Sequence, residues 1–253
     1  VIEVCTQENV PYYIVGNGSN LLVSDQGYEG VIIQIYKQMN RVEITENEIH
    51  AQAGALLSVI ANRAMEAELT GFEFAAGIPG TLGGACVMNA GAYGGEMKDV
   101  LETVTVLTRD GDVKTLTKDE LELGYRTSVI AKKDYIALSA VIRLENGKKE
   151  EIKAVMDDQK EKRITKQPLE YPSAGSTFKR PEGYFAGKLI QDAGLRGFQV
   201  GGAQVSEKHC GFVVNKDQAT AADVMNLMNQ VSDKVYEMSG VRLEPEVKRL
   251  GVF

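Results

Sequence analysis

The chain has 253 residues, 43% hydrophobic and 25% charged, enough for one large or two small domains with packed cores. Its net charge of -7 with scattered lysines argues against a nucleic-acid groove, and no apolar run approaches membrane-spanning length. Three cysteines without CxxC spacing offer neither a zinc site nor a disulfide framework, and two histidines leave little for a His-based triad. The expected setting is a reducing cytoplasm, with a small molecule as partner and no metal, nucleic acid or membrane. The opening VIEVCTQENV is not a signal peptide. Because it starts without Met and mid-element, an N-terminal portion of the first domain is expected to precede it.

In chain order, apolar and β-branched runs predict strands over Tyr12–Val15 and Val31–Tyr36. A stripe of Leu56, Ile60, Ala64 and Ala67 predicts a helix over Leu56–Leu69. Strands follow at Thr103–Thr108, Val113–Leu116 and Tyr135–Leu144, then a charged, exposed connecting helix over Lys149–Ile164. A short helix over Phe185–Ala193 stops at Gly194. Thr220 with Asp223 forms a capping box for a helix carrying Val224, Leu227, Met228, Val231 and Val235, and Gly240 ends it. A last strand is expected over Glu246–Val252. The pattern reads as α+β with a break near residues 150–167.

Two glycine segments stand out. The hinge Gly16-Asn17-Gly18-Ser19-Asn20 separates two strand-like runs, and it suits either an anion-binding nest of backbone amides or a hairpin turn. The stretch GIPGTLGGACVMNAGAYGG, Gly77 to Gly95, holds seven glycines in 19 residues, with Thr81 and Asn89 as polar donors. Such density lets backbone approach a large flat group or a phosphate. Neither segment is a Walker loop or a complete G-x-G-x-x-G fingerprint. His209 and Cys210, read as neighbours on a strand, face opposite sides and make no dyad.

Six ordered blocks resemble one family. GNGSN (16–20), GFEFAAGIPGTLGGACVMNAGAYGGE (71–96), ELGYRTS (122–128), KQPLEYPSAGSTFKRP (166–181), GKLIQDAGLRG (187–197) and LEPEV (243–247) are similar to the UDP-N-acetylenolpyruvoylglucosamine reductases. The resemblance implies a vanillyl-alcohol-oxidase/PCMH-type FAD-binding fold over residues 1–150, a connecting helix and linker over 151–167, and a smaller α+β substrate-binding domain over 168–253. The last strand is a candidate to return to the flavin domain. It also implies non-covalent FAD, NADPH as co-substrate, and reduction of the enolpyruvyl group of a UDP-sugar to UDP-N-acetylmuramate, a peptidoglycan precursor. Gly16, Asn17, Gly18, Ser19 and Asn20 would hold the FAD pyrophosphate, and Gly77, Pro79, Gly80, Thr81, Gly83, Gly84, Asn89 and Gly91 would line the diphosphate and isoalloxazine.

By the same resemblance Arg126 steadies the negative charge that develops at the substrate carboxylate, Glu246 assists there when protonated, and Ser176 donates the proton. Locally, Arg126 reads more often as a solvated or salt-bridged residue at a strand end, and Ser176 more commonly as a turn serine. Lys166, Lys179 and Arg180 bracket the serine loop as UDP contacts, with Gln167, Tyr171 and Asn215 as further candidates. Lys248 replaces an arginine common in relatives, and no tyrosine-bearing loop is inserted between Arg126 and Ile142, as in the family's shorter subtype. Two rival readings are an oxidase of the same flavin fold, for which Cys86 is the candidate covalent anchor, and a nucleotide-sugar binding module without catalysis.

Overall fold

Alternating burial builds the strands of this computed structural model, which describes residues 1–253. In chain order the first elements are α1 (Ile2–Gln7), β1 (Tyr12–Val15), β2 (Leu21–Val23), β3 (Val31–Gln34), β4 (Val42–Thr45), β5 (Glu48–Gln52), α2 (Leu57–Glu66) and β6 (Leu69–Thr70). Next come α3 (Leu82–Met88), β7 (Gly91–Ala92), β8 (Gly95–Glu96), α4 (Met97–Val100), β9 (Leu101–Leu107), β10 (Val113–Thr117), α5 (Val129–Lys132), β11 (Ile136–Arg143) and β12 (Glu145–Asn146). The rest are α6 (Lys149–Lys166), β13 (Ser173–Ser176), α7 (Ala186–Asp192), β14 (Gln199–Val200), β15 (Ala203–Val205), β16 (Phe212–Asn215), α8 (Ala221–Ser239) and β17 (Lys248–Leu250). No helix is long and apolar enough to cross a membrane. The elements group into two compact units, Val1–Gly18 with Val31–Lys162, and Ser19–Gly30 with Arg163–Phe253.

The first unit is organised by a five-stranded antiparallel sheet in the order β10-β9-β11-β5-β4. Val104 and Val106 of β9, and Ile49 and Ala51 of β5, point inward while His50 points out, the period of two that a one-sided sheet requires. Helix α2 contributes Leu57, Ile60, Ala61 and Ala64, and α3 contributes Leu82, Ala85 and Cys86, to the same core cluster. Each fully buried Leu or Ile here is worth about 1.5–3 kcal/mol. The second glycine segment contains this helix, α3. Gly83 and Gly84 each disfavour it by about 1 kcal/mol relative to alanine, but a Cβ on Gly83 would stand 2.9 Å from the Ala53 Cβ, so only glycine lets α3 pack this closely.

Strands β1 and β3 pair in parallel, Tyr12 with Val31 through Val15 with Gln34, while β2 pairs in parallel with β17. The two strands flanking the hinge thus belong to different sheets. The hairpin alternative for residues 16–20 is removed, because a hairpin would pair those strands with each other, antiparallel.

The second unit carries a four-stranded antiparallel sheet, β13-β16-β15-β14, with α7 and α8 against it. Its core includes Phe178, Leu189, Ile190, Val213, Leu227 and Val231. Thr220 Oγ1 accepts from the Asp223 amide and Asp223 returns the bond to the Thr220 amide, each at 3.0 Å, and Gly240 ends α8 at φ 70°. A second carboxylate completes the cap. Asp25 accepts from the amides of Ala221 at 2.7 Å and Ala222 at 3.0 Å. That bond, with the β2–β17 pairing, ties Ser19–Gly30 into this unit. The sequence places the connecting segment at residues 151–167. The division observed falls after Lys162, inside α6, and β17 pairs with a strand of the 19–30 segment.

Asp25 satisfies two otherwise orphaned amides and complements the helix dipole. Asp25→Ala is expected to lower unfolding stability in urea by about 1 kcal/mol. An unchanged midpoint would show that water caps α8 equally well.

Candidate active site

In the first unit the two glycine segments meet. A Cβ on Gly16 would stand 2.2 Å from Thr81 Oγ1, so the hinge can lie against Thr81 only without one. Asn17 Nδ2 donates to the Pro79 carbonyl at 2.8 Å, and Gln34 Nε2 donates to the Gly16 carbonyl at 3.2 Å. Leu82 and Gly83 donate to Ala55 and Ala53, and Leu57 donates to Gly80, stitching the second segment to the chain that leads into α2. Asn17, Gly18, Gly77, Pro79 and Gly84 remain exposed, a ribbon of main chain with little side-chain cover. Gly84 has open space, since an added Cβ would meet nothing nearer than Thr81 Oγ1 at 3.9 Å.

The glycines expected to touch a cofactor therefore divide by cause. Gly16 and Gly83 are required by protein packing, and a Cβ on Gly91 would stand 2.7 Å from the Gly95 carbonyl oxygen in the β7–β8 hairpin. Asn89, expected as a cofactor donor, needs correction. It is 1% exposed; its Nδ2 donates to Glu96 Oε2 at 2.6 Å and to the Gly124 carbonyl at 3.1 Å, and its Oδ1 accepts from the Lys98 amide at 2.8 Å. With both amide hydrogens and the oxygen engaged, the side chain works inside the unit.

Arg126 does not end a strand. Gly124 and Thr127 exchange backbone hydrogen bonds at 3.1 and 3.2 Å, and Arg126 sits in the two-residue turn between them at φ 55°. That left-handed conformation costs an L-residue about 1–2 kcal/mol. Its guanidinium lies 5.3 Å from the ring of exposed Tyr125. The turn is pinned from α3: Ser128 Oγ donates to the Val87 carbonyl at 2.7 Å, and Asn89 holds Gly124.

In the second unit Ser176 is exposed at the end of β13, after a register shift between Ser173 and Ser176. It is a strand residue, not a turn serine. Gly175 makes the shift at φ 81°, with the Ser19 carbonyl oxygen 3.9 Å from where a Cβ would be. Such bulges re-aim the following side chain. The LEPEV segment runs antiparallel beside the next residues: Glu246 donates to Thr177 at 2.8 Å, Phe178 bridges Pro245, and Lys179 donates to Glu244 at 2.8 Å. Asn20 closes the group, with its Nδ2 on the Glu246 carbonyl at 3.3 Å and its own carbonyl accepting from Lys248 at 3.0 Å. Glu246 is only 9% exposed.

The substrate candidates are more scattered within this unit. Lys179 pairs with Glu244 at 3.1 Å, and Arg180 Nε donates to the Tyr184 carbonyl at 3.2 Å while its guanidinium lies 4.0 Å from the Phe185 ring centre. Tyr171 accepts from Lys216, whose ammonium this bond holds above its usual range, and Asn215 Oδ1 accepts from Ala219 at 2.9 Å. Lys166 is exposed at the end of α6, and Gln167 follows it.

His209 and Cys210 lie in the turn before β16, not on a strand. Their structural role has a different basis from the one expected: His209 Nδ1 accepts from the Gly211 amide at 3.0 Å, its ring stacks edge-on with Phe212, and burial pushes the Cys210 thiol up. Cys86 is 1% exposed and burial pushes its thiol up to about 12. It holds no thiolate for a covalent flavin bond.

Residues 1–117 match the FAD binding domain family, and residues 167–250 match the C-terminal domain of UDP-N-acetylenolpyruvoylglucosamine reductase. The chain is 57% identical to the UDP-N-acetylenolpyruvoylglucosamine reductase of Agathobacter rectalis over 100% of this chain and 84% of that protein. It is 54% identical to the enzyme of that name from Clostridioides difficile, over 99% and 83%. The crystal structure of UDP-N-acetylenolpyruvylglucosamine reductase from Thermus caldophilus superposes with a TM-score of 0.85 at 37% identity, covering 99% of this chain and 90% of that one.

Two expectations follow from the geometry. Arg126→Gly removes the left-handed strain, so its unfolding midpoint should equal or exceed that of the parent; a clear drop would show that the side chain supports the fold. Burial holds the His209 imidazole below 6.5, with Arg196 adding to the effect. The folded value being the lower one, its stabilising contribution is complete above pH 6.5 and is lost as pH falls through the folded value. His209→Gln should flatten that acid limb in pH-dependent unfolding, and an unchanged limb would refute the assignment.

Proposed function

The chain belongs to the UDP-N-acetylenolpyruvoylglucosamine reductase family, and from that membership we propose that it uses NADPH, through FAD, to saturate the enolpyruvyl double bond of its UDP-sugar. The product, UDP-N-acetylmuramate, is a cytoplasmic precursor of peptidoglycan. The observation that carries the cofactor reading is the exposed ribbon of Asn17, Gly18, Gly77, Pro79 and Gly84, which lies within the residues matched to the FAD binding domain family. Backbone without side-chain cover suits a pyrophosphate and a flat ring system. The buried Cys86 thiol speaks for non-covalent FAD and against the oxidase with an attached flavin.

When bound, FAD supplies a hydride from NADPH to the terminal carbon of the double bond. The residues of the chain manage the charge that results. As hydride arrives, the electron pair of the double bond moves toward the carboxylate and leaves a carbanionic carbon beside it. Arg126 can hold that carboxylate with two parallel hydrogen bonds, an interaction that strengthens as charge develops and is worth about 3–4 kcal/mol in a dry site. Glu246, 9% exposed, donates a hydrogen bond to the same carboxylate when protonated. Ser176 gives its hydroxyl proton to the carbanionic carbon and is reprotonated from solvent. Its place just after the Gly175 bulge, with Glu246 bonded to the next residue, supports pairing these two roles. Lys166, Gln167, Tyr171, Lys179, Arg180 and Asn215 are proposed to contact the UDP portion.

The test is NADPH oxidation that depends on added enolpyruvyl UDP-sugar. Arg126→Ala should lower turnover by about 100–1000-fold. Ser176→Ala should still allow NADPH to bleach the flavin while turnover collapses. Full turnover in Ser176→Ala would end the proton-donor assignment, and a purified protein with no flavin absorbance would favour a binding module.

A further inference from the structure

Arg126 occupies a left-handed conformation, and its turn is held both from within and from outside. Two bonds lie inside the turn, between Gly124 and Thr127. A third comes from a distant element: Asn89 Nδ2 donates to the Gly124 carbonyl at 3.1 Å, across 35 residues of sequence. Asn89 ends α3 in a left-handed conformation, φ 44°, which asparagine tolerates better than most residues. Its position is fixed in turn. Glu96 Oε2 accepts from the same side-chain nitrogen at 2.6 Å, the Lys98 amide donates to Oδ1 at 2.8 Å, and Lys98 Nζ meets Glu96 Oε1 at 2.5 Å. The side chain is thus a buried three-way joint between α3, the β8–α4 junction and the turn that carries the arginine.

We propose that Asn89 is the positioning residue for Arg126, aligning its guanidinium for the substrate carboxylate; this rests on the role assigned to Arg126 above. The chemistry is specific to an amide. Aspartate has the same shape but neither donor, and it would set a second carboxylate against Glu96, while serine could serve only one of the three partners.

Three measurements on the FAD-loaded protein and one on the apoprotein decide it. Asn89→Ser and Asn89→Asp should leave the rate of flavin reduction by NADPH and the FAD content near the parent values, while reoxidation by the enolpyruvyl UDP-sugar slows by up to about 100-fold, the scale expected when a reacting group is misplaced by about 1 Å. In an Arg126→Ala background the same Asn89 changes should slow reoxidation no further, because residues acting through one contact are not additive. In the apoprotein the Thr127 amide, bonded to Gly124 at 3.2 Å, should exchange with solvent faster in both variants. Loss of FAD content, equal slowing of both half-reactions, unchanged Thr127 exchange, or additivity with Arg126→Ala would each overturn the proposal. If Arg126→Ala alone reoxidises at the parent rate, the role of Arg126 falls and the positioning role with it. If Arg126→Ala is slow while Asn89→Ser is not, only the positioning role falls.

Discussion

The approach of Gly16 to Thr81 is the contact on which the candidate cofactor surface depends. A Cβ at that position would come within 2.2 Å of the Thr81 hydroxyl and push the hinge away. With the space open, Asn17 reaches the Pro79 carbonyl and two segments more than 60 residues apart become one ribbon. The ribbon is stiff because its second half is bonded to Ala53, Ala55 and Leu57 beside the sheet, whose core buries Ile49, Leu57 and Leu82 completely. Rigid backbone at small residues is what a phosphate-bearing ligand requires, since amides that need not rearrange lose little on binding.

The second unit applies the same economy differently. Glu246 is buried and Ser176 exposed, yet the backbone of Glu246 is bonded to the residue after Ser176. Two side chains of opposite character are thereby held in register by main-chain pairing alone. The five-residue hinge serves both units: Gly16 and Asn17 clasp the first, while Asn20 bonds on either side of Val247 in the second. A hairpin could not divide its work in this way.

Much of this organisation was legible in the chain. The helix from Thr220 to Gly240 was marked at both ends, because a capping box and a terminal glycine are local chemistry that long-range contacts need not supply. Helix α2 and strands β1, β9 and β11 followed from periodicity. Helix α3 did not: its glycines argue against a helix, and only the packing of Gly83 on Ala53 explains them. The pairing of β2 with β17, and with it the membership of residues 19–30 in the second unit, joins strands more than 220 residues apart and leaves no local trace.

Sequence alone determined the family and the glycine segments and named the polar residues proposed for the chemistry, because these depend on residue types in a fixed order. Tertiary structure decided how several of them are engaged. It assigned Gly83 and Gly91 to packing, spent the Asn89 amide on an internal joint, sealed Cys86 away from reaction, and bent Arg126 into a left-handed turn. The reason is physical: whether a glycine faces a ligand or a neighbouring Cβ, and whether an amide faces solvent or a carbonyl, is settled by atoms from elsewhere in the chain.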